Sequence, residues 1–234
     1  MKQRNKRQIN SHLSKLPRNR KDLSKWLITL VILVVAGGLG VGTDFFASDS
    51  TSTSPTTQET RVNESDRTVI DQFDGSNLDS LPEMVKIPVT YTRVVDGDTL
   101  MVELNGYSLR VRHLMIDTPE SVKEGMSVQP FGKEASDRND ELLKSAKQVY
   151  LMLDVGPPAD QYDRVLAYIY ADDVLVAEQL LEEGFATVRF VNPPNNSYEA
   201  RFRDAQEAAK QAGLNIWSID DYVEANGYFN QVNN

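Results

Sequence analysis

Two short acidic turns hold the residues best suited to chemistry. The first is Val94-Val-Asp-Gly-Asp-Thr99; the second is Asp117-Thr-Pro-Glu120. Between them they carry the carboxylates of Asp96, Asp98, Asp117 and Glu120 and the hydroxyls of Thr99 and Thr118, with Arg112 just ahead of the second turn. Hard oxygen ligands beside a fixed cation suit metal-assisted chemistry on a phosphate. Asp98 follows a glycine, and Asp117 closes the apolar run Leu114-Met-Ile116, so a carboxylate stands at the mouth of a buried strand. Two such carboxylates with a backbone carbonyl and water would suit Ca²⁺ or Mg²⁺. Pro119 fixes its own φ and pushes Thr118 toward an extended conformation, which aims Glu120. Each turn alone has a plainer reading: Asp-Gly is a common hairpin turn, and Asp-Thr-Pro-Glu is a common helix start.

The cations and rings nearby extend the pattern. Arg112 lies in Leu109-Arg-Val-Arg-His-Leu114, where Arg110 and Arg112 share one strand face and Val111 takes the other. Arg164 lies in Asp160-Gln-Tyr-Asp-Arg-Val-Leu166, as the chain enters a strand. A guanidinium fork can hold a phosphate at two points and stabilise charge developing on it. A structural ion pair with a nearby acid is the competing role, favoured for Arg110 and evenly balanced for Arg112 and Arg164. Tyr162, Phe190 and Tyr198 lie near loops where they could stack on bases. Tyr168 and Tyr170 alternate along a strand and read as packing residues. His113 reads as a strand residue, not a ligand.

These residues need elements to hold them. Residues 86–95, 99–104 and 107–116 read as strands, with Asn105-Gly106 as a two-residue hairpin between the last two. Residues 131–146 read as a helix, 148–154 and 166–170 as strands, and 173–183 as a helix ending at Gly184. A third helix runs from Ser197 or Ala200 through Gln211. Strands first, then helices interleaved with two more strands, predict an α+β or barrel-type domain over 85–219, followed by a flexible polar tail at 220–234.

Composition narrows the classes. The 234 residues contain no cysteine and two histidines, which excludes disulfides and thiolate metal sites and leaves His-based zinc chemistry poorly supplied. The net charge of −9 is uneven. Residues 1–25 carry nine Lys/Arg against Asp22, and form a basic segment expected in the cytoplasm. Residues 26–43 are uncharged and, as a helix, span roughly 27 Å, enough for a transmembrane signal anchor. A cleaved signal peptide, with Gly40-Val-Gly42 as its small-residue site, is the alternative. Residues 44–84 are Ser/Thr-rich and then acidic, and are expected to be a disordered linker. The body would then stand outside the cell membrane, single-pass anchored or released. Its acidity does not favour polyanion binding: residues 85–219 hold 14 Lys/Arg and 21 Asp/Glu.

From about Lys86 to Ser218 the chain resembles the staphylococcal nuclease (thermonuclease) family. The resemblance rests on Val95-Asp-Gly-Asp-Thr99, Arg112 with Ile116-Asp-Thr-Pro-Glu120, and Phe131-Gly-Lys-Glu-Ala135. It continues through Tyr162-Asp-Arg164, Leu166-Ala-Tyr-Ile-Tyr-Ala171, Pro194-Asn-Asn196 and Leu214-Asn-Ile-Trp-Ser218. It implies a five-stranded oligonucleotide-binding (OB-fold) β-barrel with three helices. The implied activity is Ca²⁺-dependent cleavage of DNA and RNA to 3′-phosphate ends by a monomeric catalytic domain. The implied roles are Asp98 and Asp117 as Ca²⁺ ligands by side chain, Thr118 by carbonyl, and Asp96 in the outer shell. Glu120 orients or deprotonates water, Arg112 and Arg164 hold the phosphate, and Tyr162 contacts a nucleotide. Phe190 takes the place of a tyrosine that binds substrate in the family. Gln161, Asp163, Val165 and Asn192 depart from the family pattern and point to weaker nucleotide affinity. A non-catalytic nucleic-acid- or protein-binding module on the same barrel is the alternative; such modules typically lack the carboxylates or arginines that are all present here.

Overall fold

Alternation shapes the first strand. β1 (Ile87–Asp96) buries Ile87 and Val89 and exposes Pro88 and Thr90 between them. Two register shifts against its neighbour, between Tyr91 and Arg93 and between Val94 and Asp96, bend and twist its far end. β2 (Thr99–Leu104) and β3 (Tyr107–His113) follow as a hairpin. Asn105 and Gly106 join them at φ 51 and 85, the paired positive angles that this two-residue turn demands. The computed structural model describes residues 62–121 and 128–230.

β1 also pairs antiparallel with β5 (Val149–Leu153), and β5 with β6 (Val165–Ala171). β6 then runs parallel to β3 through Val111↔Val165, Arg112↔Leu166 and His113↔Ala167. That pairing closes the order β3-β2-β1-β5-β6 into a five-stranded barrel. Ile87, Leu100, Val102, Val111, Leu151, Ala167 and Ile169 fill it and are wholly buried. Burial of each Val, Leu or Ile among them is worth about 1.5–3 kcal/mol relative to exposure.

The long apolar segment after β3 does not continue as one strand to Ile116. The chain turns at Leu114–Met115, with Met115 at φ 59, and Ile116–Asp117 (β4) leaves the barrel to pair with Thr187–Val188 (β8). A continuous apolar run carries no mark of the point at which a strand changes sheet. Among the described residues four α-helices accompany the barrel: α1 (Glu64–Asp71), α2 (Gly132–Ser145), α3 (Val176–Glu182) and α4 (Glu199–Gln211). α3 starts later than expected, because Val174–Leu175 (β7) first pairs back onto β6. The turn residue Asp172 (φ 54) accepts hydrogen bonds from the Lys147 and Gln148 amides and so serves the hairpin, not a helix cap.

Two segments are more ordered than their composition suggests. Within 62–84, Ile70, Phe73 and Leu81 enter the core, and Asn63 caps α1 by accepting from the Asp66 amide. Among the described residues the α-helices therefore number four where three are expected. In the tail, Tyr222 is 1% exposed and donates to the Pro130 carbonyl, while Val223 bridges Phe229. A few buried apolar residues among many polar ones anchor both segments, and an average over the segment hides them. The basic segment 1–25, the span at 26–43 and the linker up to residue 61 lie outside the described residues. Among the described residues no helix is long and apolar enough to cross a membrane.

Candidate active site

The bulged end of β1 and the start of β2 carry Asp96 and Asp98 into a tight turn. Asp96 accepts from the Asp98 amide at 3.2 Å. One Asp98 carboxylate oxygen accepts from the Thr99 hydroxyl at 3.1 Å, and the other from the Thr118 amide at 3.3 Å. The first turn is thus bonded directly to the second. Gly97 makes this approach possible, since a Cβ there would lie 2.4 Å from Thr118 Oγ1. Beneath the turn, buried Asn139 of α2 donates to the Gly97 carbonyl at 3.1 Å and sits 3.4 Å from His113 Nε2. Gly132 at the start of α2 packs against the other turn: a Cβ there would lie 2.5 Å from the Glu120 carbonyl.

β3 delivers Arg112 between the two turns. Its Nη2 lies 2.9 Å from Asp98 Oδ2 and 3.3 Å from Asp117 Oδ1, so both carboxylates face one small volume. Arg164 immediately precedes β6 and also lines the cavity, and its Nη2 lies 2.6 Å from Asp160 Oδ2. Asp163 stands in the turn before it at φ 57, a left-handed conformation for which glycine is the usual residue. All nine residues expected at the site line a single cavity of about 520 Å³: Asp96, Asp98, Arg112, Asp117, Thr118, Glu120, Tyr162, Arg164 and Phe190.

The electrostatics are those of crowded carboxylates. Burial, and then the neighbouring Asp98, push the Asp96 carboxyl up to about 6. Burial also raises Asp117 above the usual carboxylate range, against the pull of Arg112 and Arg189. Such a surplus of buried negative charge favours a cation. The donors are all hard oxygens, the type that Ca²⁺ takes. Among the described residues no group of three or more His, Cys, Asp or Glu gathers into a ligand cluster, so two carboxylates and a carbonyl would leave several positions to water. His113 is buried, and burial followed by Arg112 pulls it down to about 3, so its imidazole stays neutral.

The rings divide. Tyr162 and Phe190 are 66% and 51% exposed at the mouth of the cavity. Their centroids lie 5.5 Å from the Arg164 guanidinium and 5.6 Å from that of Arg112, respectively. Tyr198 is not brought to the site; it is tilted against Tyr168 at 4.6 Å and accepts from the Tyr170 hydroxyl. Sequence reasoning missed Arg189, whose Nη1 is ion-paired with Asp117 Oδ2, and Asp160, the partner of Arg164. The i,i+4 spacing of Asp160 and Arg164 was an available signal. Nothing in the spacing connects Arg189 to a residue 72 positions away.

Comparison with known proteins gives concordant matches. The family model described as staphylococcal nuclease homologue matches residues 110–219. The match takes in Arg112, Asp117, Glu120 and Arg164 and begins after the turn that carries Asp96 and Asp98. Endonuclease YncB of Bacillus subtilis is 40% identical over 210 residues, covering 88% of this chain and 98% of that protein. The SPbeta prophage-derived endonuclease YokF of the same organism is 46% identical over 142 residues, covering 61% of this chain and 48% of its own. The thermonuclease of Staphylococcus intermedius is 41% identical over 125 residues, covering 53% and 73%.

Proposed function

We propose, given that this chain belongs to the staphylococcal nuclease homologue family and is a nuclease hydrolase, that it requires Ca²⁺ and cuts DNA and RNA at the 5′-O–P bond, leaving 3′-phosphate ends. The observation that carries this reading is the pair of carboxylates, Asp98 and Asp117, on one guanidinium nitrogen of Arg112 in the shared cavity. Asp98 and Asp117 would hold the cation by their side chains and Thr118 by its carbonyl, with Asp96 behind them. When bound, Ca²⁺ supplies a Lewis acid that neutralises charge on the phosphate.

The remaining work falls to the chain's own groups. Attack on a phosphodiester adds negative charge to a centre that already repels hydroxide. Arg112 and Arg164 face that charge from two sides and stabilise it as preorganised donors. Glu120 orients the attacking water and accepts its proton. Tyr162 and Phe190, exposed at the mouth, stack on the flanking bases. So few protein ligands suit weak Ca²⁺ binding, on the order of 10⁻⁴–10⁻³ M, as in extracellular modules.

Such an affinity fits a domain held outside the cell by residues 26–43, with the basic residues 1–25 inside. The test uses the full chain on DNA and RNA in Ca²⁺ and in chelator, with end-group analysis of the products. Cleavage to 3′-phosphate ends in Ca²⁺ alone supports the reading; 5′-phosphate ends, or equal activity in chelator, would overturn it. Activity on intact cells that is absent from the medium would support the anchored form.

A further inference from the structure

We propose that Arg189 is a positioning residue for Asp117, and that the C-terminal segment 219–230 is the clamp that holds it there. This rests on Asp117 being a Ca²⁺ ligand. The Asp117 carboxylate is gripped from two sides: Arg112 reaches Oδ1 at 3.3 Å, and Nη1 of Arg189 is bonded to Oδ2. With Oδ2 engaged, the carboxylate cannot rotate freely, and Oδ1 stays turned toward the volume that it shares with Asp98. Arg189 therefore fixes the direction in which Asp117 presents its free lone pairs.

The guanidinium of Arg189 is itself held between two rings. Its central carbon lies 4.3 Å from the Phe190 centroid and 3.3 Å from that of Tyr228. Tyr228 comes from the segment beyond residue 219, where the family match ends. That segment is bonded to itself and tied to the rest of the domain at Pro130 and Thr187. The Tyr228 carbonyl accepts from the Glu224 amide at 2.9 Å, and the Tyr228 amide donates to Asn226 Oδ1 at 3.0 Å. The Tyr222 hydroxyl donates to the Pro130 carbonyl at 2.8 Å, and the Asn230 amide donates to the Tyr222 carbonyl at 2.8 Å. Thr187, the residue paired with Asp117 across β4 and β8, donates its hydroxyl to the Gly227 carbonyl at 3.0 Å. The clamp thus bonds both to the neighbour of Asp117 and, through Arg189, to Asp117 itself.

A partner that orients a metal-binding carboxylate is typically worth about 10–100-fold in metal affinity. The experiment compares the full chain with Arg189→Met, Tyr228→Ala and Tyr228→Phe. Ca²⁺ binding is read by calorimetry, nuclease rate against Ca²⁺ concentration, and Tm in chelator. Arg189→Met and Tyr228→Ala should raise both the calorimetric Kd and the half-saturating Ca²⁺ by about tenfold, with the rate at saturating Ca²⁺ within threefold or so of wild type. Tyr228→Phe, which keeps the ring, should retain the wild-type Kd. If Arg189→Met does not fold, Arg189→Lys, which lacks the planar fork, should show the same rise. A wild-type Kd in Arg189→Met, or a loss confined to Tm in Tyr228→Ala, would overturn the inference and leave the Ca²⁺ reading standing. Absence of Ca²⁺ uptake by the wild-type chain would overturn both.

Discussion

Asp98 and Arg112, both buried, and the half-buried Asp117 form a charge cluster in which one guanidinium nitrogen serves two carboxylates. Arg164, by contrast, has its own acid in Asp160 and lies at the cavity edge, 22% exposed at its side chain. Replacing Arg164 should therefore separate catalysis from folding. Arg164→Gln is expected to lower kcat by about 10²–10³, or roughly 2.7–4 kcal/mol, as for loss of one preorganised donor. Its denaturation midpoint should move by less than about 1 kcal/mol, since a partly exposed pair contributes little. Steady-state rates and urea curves on the same preparation check both. Asp96 gives a pH signature. Its folded-state carboxyl titrates at about 6 against an ordinary 3.8, so the folded protein holds the proton more tightly than the unfolded chain. Metal-free protein should lose stability from this group as pH rises from about 4 to about 6, by about 2 kcal/mol. Asp96→Asn should flatten that slope, as read by urea midpoints across pH in chelator.

Among the elements, α2 supports both acidic turns without lining the cavity. Its first residue, Gly132, lies against the Glu120 backbone, and Asn139 holds the Gly97 carbonyl. Gly132→Ala should displace the 119–120 backbone and reduce kcat by tenfold or more, since misplacement of a reacting group by about 1 Å can cost 10²; comparison of kcat with Tm checks it. The strands and α2 were legible because alternation and helical period mark them, and Asn105-Gly106 announced its own turn. The carboxylates of the candidate site were legible because they cluster in two short motifs, which the structure brings to one cavity. The departure of β4 from the barrel was not, since Ile116 ends an apolar run that Asp117 closes, and the new partner β8 is 70 residues on from Asp117 in sequence. Asp172-Asp173 reads equally as a helix cap or a hairpin turn, and only the Lys147 and Gln148 amides decide between them. Arg189 depends wholly on tertiary contact.

For the molecule as a whole, the domain extends beyond the segment where family motifs occur. Phe73 is 3% exposed and packs edge-on against Tyr107, with ring centroids 6.0 Å apart. Phe73→Ala in the full chain should cost about 3–5 kcal/mol of stability and leave the active-site geometry unchanged, which the denaturant midpoint will show. Such a result would place the residues before β1 inside the folding unit. Residues 85–219 carry a net negative charge and so offer no broad basic face, and the proposed function leaves phosphate recognition to a few local cations, chiefly Arg112 and Arg164. The most direct measurement is DNA hydrolysis by the purified full chain beside its Glu120→Gln variant, each with Ca²⁺ and with chelator. Wild type should cut only in Ca²⁺, and Glu120→Gln should be slower by about 10² or more; undiminished cleavage by the variant in chelator would contradict the account.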